Sequence, residues 1–74
     1  MKKQDARILD VIAKNIRFAR RSLGISQEEL ADIAGVHRTY IGMVERSEKN
    51  ITILSLEKIA KALHVSIASL LKEK

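Results

Sequence analysis

The chain has no cysteine, no proline and no tryptophan, and its 74 residues include only one tyrosine and one phenylalanine. Without cysteine it cannot form disulfides or thiolate metal sites, so its stability must come from packing. The lack of proline and the scarcity of aromatic residues favour an all-α bundle with short turns. No metal site and no cofactor are predicted.

Long apolar segments are also missing. No apolar run approaches the roughly 18 residues that a membrane-spanning helix needs. The N-terminus carries Lys2 and Lys3 but lacks the apolar core of a signal peptide. We therefore expect a cytoplasmic protein with no membrane partner. A chain of 74 residues has room for one modest core, which predicts a single domain over residues 1–74.

The charge of the chain is unevenly distributed. The net charge is +5, with seven Lys or Arg and two Asp in residues 1–25, against seven residues of each sign in residues 26–74. Such an excess favours a polyanionic partner. Arg17, Arg20 and Arg21 can contact phosphates, although a solvated basic helix face explains Arg21 equally well. A membrane surface fits less well because bulky aromatic anchors are missing.

Apolar residues recur at helical spacing in five segments. The first covers residues 5–23, from Asp5, and its stripe is Ile8, Ile12, Ile16, Ala19 and Leu23, with Gly24 at its end. After the second and third segments, residues 47–54 read as a loop. Ser55 is the predicted N-cap of the fourth helix, which ends near His64, and Ser66 is the predicted N-cap of the last, residues 67–72.

The second and third segments, residues 26–46, read SQEELADIAGVHRTYIGMVER. Ser26 and Glu29 have the spacing of a capping box, and Gly35 offers the left-handed geometry that ends a helix. Leu30, Ala31, Ile33 and Ala34 form the apolar pattern of the first helix of the pair. The second restarts near His37, turns Ile41 and Val44 inward, and leaves outward Arg38, Thr39, Gly42, Met43 and Arg46. A polar, solvent-facing second helix is typical of a helix-turn-helix that enters the DNA major groove.

Residues 23–71 resemble the lambda repressor/Cro family of DNA-binding domains, through the serine-glutamine start, the turn glycine, the TYI triplet and the ER end. The resemblance implies a compact five-helix bundle that binds a double-stranded DNA operator as a homodimer. The runs HRTYIGMVER and KNITILSLEKIAKAL are similar to controller proteins of bacterial restriction-modification systems, which implies a regulator that activates and represses transcription. Phage-like or chromosomal repressors share much of this pattern and are the alternative.

Base contacts are predicted for four residues of the second helix of the pair and its end. Arg38 can donate two hydrogen bonds to a guanine, and Thr39 can touch a thymine methyl or a phosphate. Met43 can pack on a thymine methyl or fill a partly exposed gap. Arg46 suits a phosphate or a base edge. His37 stands where relatives often carry serine or threonine, and is either a poor N-cap or an extra donor to DNA.

Contacts to the DNA backbone are expected around these base contacts. Gln27 lies at a helix N-terminus that favours a phosphate, and the matching glutamine of lambda-like proteins contacts the backbone. Tyr40 can pack beneath the helix while its hydroxyl meets a phosphate. The resemblance adds loop positions, although Asn50 also suits a turn and Ser55 a cap. The predicted backbone set is Gln27, Tyr40, Lys49, Asn50, Thr52, Ser55 and Arg17.

The resemblance implies two further roles. Relatives join an arginine of the first helix to a glutamate of the third, which predicts an ion pair between Arg20 and Glu45. Glu28 and Asp32 match positions at which lambda-like activators touch the promoter-recognition subunit of RNA polymerase, although most acidic pairs of this kind are only solvated.

Apolar residues near the C-terminal side exceed what a small core can bury, which predicts a dimer interface. The candidates are Ile51, Ile53, Leu54, Ile67, Leu70 and Leu71. A two-fold dimer would read two half-sites about 34 Å apart.

Two other classes of protein are alternatives to a DNA-binding regulator. An antitoxin-like protein-interaction module or a helical adaptor could use the same bundle to bind a polypeptide, although Arg38, Thr39 and Arg46 favour DNA. An enzyme is not expected, because the sequence has no cysteine, no phosphate loop and no histidine pair at metal-ligand spacing.

Overall fold

The computed structural model describes residues 7–73, whose regular elements are five helices. They are α1 (Arg7–Ser22), α2 (Gln27–Ala34), α3 (Arg38–Glu45), α4 (Ile53–Leu63) and α5 (Ile67–Leu71). The predicted all-α fold is confirmed. Lys2, Lys3 and the predicted start of the first helix at Asp5 lie outside the described residues. Among the described helices, none combines the length and apolar character needed to cross a bilayer.

The turn between α2 and α3 forms as its sequence predicts. Ser26 Oγ accepts a hydrogen bond from the Glu29 backbone N–H at 3.0 Å, and Glu29 Oε1 accepts one from the Ser26 N–H at 2.8 Å. This capping box fixes the start of α2. Gly35 ends the helix with φ 74° and ψ 34°, a left-handed conformation in which a side chain would be strained.

The start of α4 differs from the prediction. The helix begins at Ile53, and Thr52 is its N-cap, with Oγ1 accepting from the Ser55 N–H at 3.0 Å. Ser55 is therefore the third helical residue and not the cap, and the predicted loop ends earlier. Thr52 and Ser55 both carry a hydroxyl that can cap a helix. The two apolar residues between them, Ile53 and Leu54, are exposed, so the apolar pattern does not show which hydroxyl starts the helix.

One core joins all five helices. Its largest fully buried side chains are Ile16, Leu30, Ile41, Leu56, Ile59 and Leu70. The predicted stripe of α1 is buried at its centre, but its ends, Ile8 and Leu23, are nearly half exposed. Ile33 of α2 also faces outward, with 61% of its surface exposed.

The assignment of Leu70 to a dimer interface is wrong. Leu70 is 2% exposed and lies in the core of the single chain. The reason is that α5 packs against α1, which brings Leu70 into the core. Ile51 and Ile67 are half-buried and also pack against the core.

Asn15 holds α5 against α1 and was missed in the sequence. Its side chain is 4% exposed, and Nδ2 donates to the carbonyl oxygens of Leu70 and Lys72, both at 2.9 Å, and of Ser69 at 3.4 Å. A helix leaves its last carbonyls without internal partners, and Asn15 supplies a donor to them. The one sequence feature that could indicate this role is the position of Asn15 directly before Ile16, at the edge of the apolar stripe of α1.

Candidate nucleic-acid interface

The N-terminus of α2 and the outer face of α3 border an open groove. Residues from α1, from the start of α2 and from α3 line it together: Arg20, Ser26, Gln27, Glu28, Arg38, Thr39, Gly42 and Arg46. Three of the four predicted base-contacting residues therefore share one surface, which the turn at Gly35 creates by folding α3 back against α2. The fourth, Met43, is half-buried on α3.

His37 caps α3 through its imidazole. Nδ1 accepts the Thr39 N–H at 3.1 Å, and the backbone of His37 has the extended conformation of an N-cap, with φ −75° and ψ 143°. The ring thus replaces the hydroxyl that usually satisfies this amide. His37 is a functional N-cap, and Nδ1 is committed to the helix start that carries Arg38 and Thr39.

Arg38 projects from the first turn of α3 into solvent. Its Nη1 lies 3.6 Å from Glu28 Oε1, and the two side chains are 66% and 65% exposed. An exposed pair at this distance is weak, because water screens it and two long side chains lose freedom. The Arg38 guanidinium can therefore exchange Glu28 for another partner, and Thr39 beside it is exposed as well.

Arg46 and Gly42 form the far side of the groove. Arg46 follows the last residue of α3, and its Nε lies 3.1 Å from Glu48 Oε2. Gly42 lies on the groove face with Arg46, as expected, but neighbouring side chains bury it. The groups nearest to it are the Arg46 guanidinium and the Gln27 amide.

A buried carboxylate ties the three helices around the groove. Glu45 is 2% exposed and accepts hydrogen bonds from Arg20 Nε at 2.7 Å, Arg20 Nη2 at 3.0 Å and Gln27 Nε2 at 3.1 Å. Arg17 Nη1 donates to the Glu45 carbonyl oxygen. The structure thus contains the ion pair implied by the resemblance, and it adds Gln27 as a third member.

The network also stabilises the charged form of Arg20. The hydrogen bond to Glu45 raises the pKa of the Arg20 guanidinium, and the coulombic attraction of the carboxylate acts in the same direction against desolvation by burial. Arg20 Nη1 also donates to the Ile25 carbonyl at 3.0 Å, which fixes the loop before α2.

The predicted backbone contacts have different surroundings. Lys49, Asn50 and Thr52 are exposed, whereas Ser55 is half-buried in the first turn of α4. The hydroxyl of Tyr40 is enclosed and has no hydrogen-bond partner among the described residues, and its ring packs against the core. The expectation that this hydroxyl meets a phosphate is therefore not met in this conformation, because the ring points inward.

The remaining predicted surfaces are accessible. Glu28 and Asp32 are both exposed on α2. At the start of α4, Ile53 is 71% and Leu54 is 70% exposed, and Leu71 of α5 is 39% exposed. Among the dimer candidates, only these three present large apolar surfaces to solvent.

The fold and the groove define a helix-turn-helix protein whose second helix presents arginine and threonine to solvent. The chain belongs to the helix-turn-helix family, whose profile matches residues 16–70. It is 50% identical over 64 residues to "Control protein C.SmaI" of Serratia marcescens, a match that covers 86% of this chain and 76% of that protein.

Two solved structures extend the comparison. The restriction-modification controller protein C.AhdI from Aeromonas hydrophila superposes with a TM-score of 0.81 at 35% identity, covering 84% of this chain and 94% of the other. The N-terminal DNA binding domain of SinR from Bacillus subtilis gives 0.83 at 39% identity, covering 88% and 96%. The resemblance inferred from the sequence, including the similarity to controller proteins, is confirmed.

Proposed function

We propose that this protein is a sequence-specific regulator of transcription that inserts α3 into the major groove of operator DNA. The observation that carries this proposal is the exposure of Arg38 and Thr39 on the first turn of α3, directly beside the N-terminus of α2. An α-helix with its side chains is about 10–12 Å across, which fits the major groove of B-DNA at about 12 Å.

Arg38 is the main reader of base sequence in this proposal. A guanidinium can donate two parallel hydrogen bonds to O6 and N7 of a guanine, and leaving Glu28 costs it little because that pair is exposed. Thr39, Met43 and Arg46 add contacts to neighbouring bases.

Contacts to phosphates would hold the helix in register. The N-terminus of α2 favours an anion, and Gln27 lies in its first turn beside the groove. Lys49, Asn50 and Thr52 are exposed at the other side of α3 and would meet the next phosphates, with Arg17 and Ser55 at the edges of the footprint.

The protein would act as a homodimer. Ile53 and Leu54 expose adjacent apolar side chains at the start of α4, and a patch of this kind is a typical interaction surface. Ile53 and Leu54 lie next to the loop that follows α3. An interface there would place the α3 helices of the two subunits on the same side of the dimer. We place Leu71 at the edge of this interface and exclude Leu70.

The similarity to C.SmaI and C.AhdI supports a restriction-modification controller protein. In this proposal the protein activates and represses transcription in the cytoplasm, as a single domain over residues 1–74 with no catalytic role. Activation needs a contact to RNA polymerase. The exposed Glu28 and Asp32 offer an acidic surface for a basic segment of the promoter-recognition subunit.

The test is selection of bound duplexes from a random library, followed by binding measurements on the selected duplex. Arg38→Ala should weaken binding about tenfold or more, since a bidentate base contact contributes about 1–3 kcal/mol. Lys61→Ala is the matched control: it removes one exposed positive charge from the C-terminal half of α4. Binding should weaken steeply with salt.

A protein that retains no duplex, or whose Arg38→Ala variant binds as well as the Lys61→Ala variant, would contradict DNA reading by α3. Retention of a polypeptide without DNA would support the antitoxin-like alternative. An Asp32→Lys variant, which leaves the groove-lining Glu28 in place, should bind the operator but fail to activate transcription, and unchanged activation would refute the polymerase contact.

A further inference from the structure

Gly42 lies within α3, and its backbone conformation does not require glycine. Its φ is negative, unlike those of Gly24 and Gly35 at helix ends. A glycine inside a helix costs about 1 kcal/mol relative to alanine. The residue is nevertheless buried, although the groove beside it is open.

The side chain that covers Gly42 belongs to Arg46, one helical turn later. A Cβ built on Gly42 would lie 3.1 Å from Arg46 Nη1 and 3.9 Å from Arg46 Cζ, with Gln27 Oε1 at 3.8 Å. The first distance is shorter than nine in ten contacts that real Cβ atoms make. The guanidinium therefore occupies the space that a side chain at position 42 would take.

Two further contacts accompany this orientation of Arg46. Its backbone N–H donates to the Gly42 carbonyl at 3.1 Å, which keeps Arg46 wound onto the end of α3. Its Nε lies 3.1 Å from the Glu48 carboxylate, so the guanidinium is bound on the Nε side while Nη1 lies over Gly42. The side chain thus turns back along the helix toward Gln27, instead of extending away from its end.

We propose that Gly42 determines specificity by making room for Arg46. The missing side chain lets the Arg46 guanidinium lie on the same groove as Arg38 and Thr39, so that the two ends of α3 each present a guanidinium group to the DNA. A Cβ at position 42 would shift the Arg46 guanidinium by a few tenths of an ångström, and a longer side chain would displace it further from the groove. This inference rests on the proposed DNA-binding function and names a second determinant of sequence within it.

The test is Gly42→Ala, alone and combined with Arg46→Ala. Alanine suits the helix, and the clashing atom is the far end of a flexible side chain, so the melting temperature should not fall. Affinity for the duplex selected by the wild-type protein should drop by up to roughly tenfold, because the shifted guanidinium loses part or all of one contact to a base. In the Arg46→Ala background the same substitution should change affinity by less than about twofold, because there is no guanidinium left to displace.

Two outcomes would overturn the proposal. If Gly42→Ala binds the selected duplex as tightly as the wild type, the space over Gly42 has no role in recognition. If Gly42→Ala weakens binding equally in the wild-type and the Arg46→Ala backgrounds, the added methyl group obstructs the DNA directly and Gly42 does not act through Arg46.

A second measurement does not depend on the folding of the Gly42 variant. Repeating the duplex selection with Arg46→Ala should relax the base preference at one position of each half-site, and an unchanged preference would refute the inference. Failure of the wild-type protein to select any duplex would instead contradict the proposed function itself, so the two failures are distinguishable.

Discussion

Removal of the Arg20 side chain is the most informative perturbation of this fold. Arg20→Ala takes two hydrogen bonds from the Glu45 carboxylate and leaves it only the Gln27 amide at 3.1 Å. The side chains of Arg20 and Glu45 are 12% and 2% exposed, so the carboxylate depends on donors from the protein. The variant therefore leaves a buried negative charge whose ion-pair partner is gone.

The expected cost is about 3 kcal/mol, the lower end of the 3–5 kcal/mol seen when one partner of a buried pair is removed. A domain of this size is stable by only about 4–11 kcal/mol, so this is a large fraction of the total. Since 1 kcal/mol corresponds to roughly 4–8 °C in a small domain, the melting temperature should fall by about 12–24 °C.

Urea and thermal unfolding followed by circular dichroism measure this loss. Arg21→Ala is the matched control, because Arg21 is the exposed neighbour on the same helix, and it should change stability by less than about 0.5 kcal/mol. The double variant Arg20→Met, Glu45→Leu should recover much of the loss, because no charge remains buried. A cost of Arg20→Ala below about 1 kcal/mol, typical of a surface pair, would refute the reasoning.

Three further predictions concern the ends of helices and the dimer. Asn15→Ala should destabilise the protein by about 1–3 kcal/mol in urea unfolding, because the buried Leu70 carbonyl and the part-buried Lys72 carbonyl lose their donor, while the exposed Lys14→Ala changes little; equal stabilities would contradict this. His37→Ala should lower the free energy of unfolding by about 1 kcal/mol and speed hydrogen exchange of the Thr39 amide. His37→Ser should restore both, since a hydroxyl also caps a helix. Unchanged exchange in the alanine variant would exclude a role for the imidazole cap. Ile53→Glu combined with Leu54→Glu should shift sedimentation from dimer to monomer with an unchanged circular dichroism spectrum, and a persistent dimer would place the interface elsewhere.

Local rules were sufficient for much of the fold. The capping box of Ser26 and Glu29, the left-handed Gly35 and the cap at Ser66 all depend on residues within a few positions of one another, and the structure has each where the sequence predicts it. The same locality explains the error at α4, where Thr52 and Ser55 are equally suitable caps by type. Only the packed helix selects Thr52.

The residues of the groove illustrate the same division. Arg38 and Thr39 follow from their place in the first turn of an outward-facing helix, which a sequence pattern can indicate. The burial of Gly42 does not follow from such a pattern, because it depends on the rotamer of Arg46 and on Gln27, a residue of another helix. The inward turn of the Tyr40 hydroxyl and the burial of Leu70 likewise depend on neighbours that come from distant parts of the chain.

By itself, the sequence determined where most helices start and stop, and which residues of the second and third helices form a helix-turn-helix, because caps and periodicity act within a few residues. Only the tertiary structure decided which polar side chains became buried. Asn15 contacts α5 more than 50 positions later, and Glu45 joins Arg20 to Gln27 across three helices. These contacts form only when the helices have packed, since a buried donor or charge is stable only beside a partner that folding brings to it.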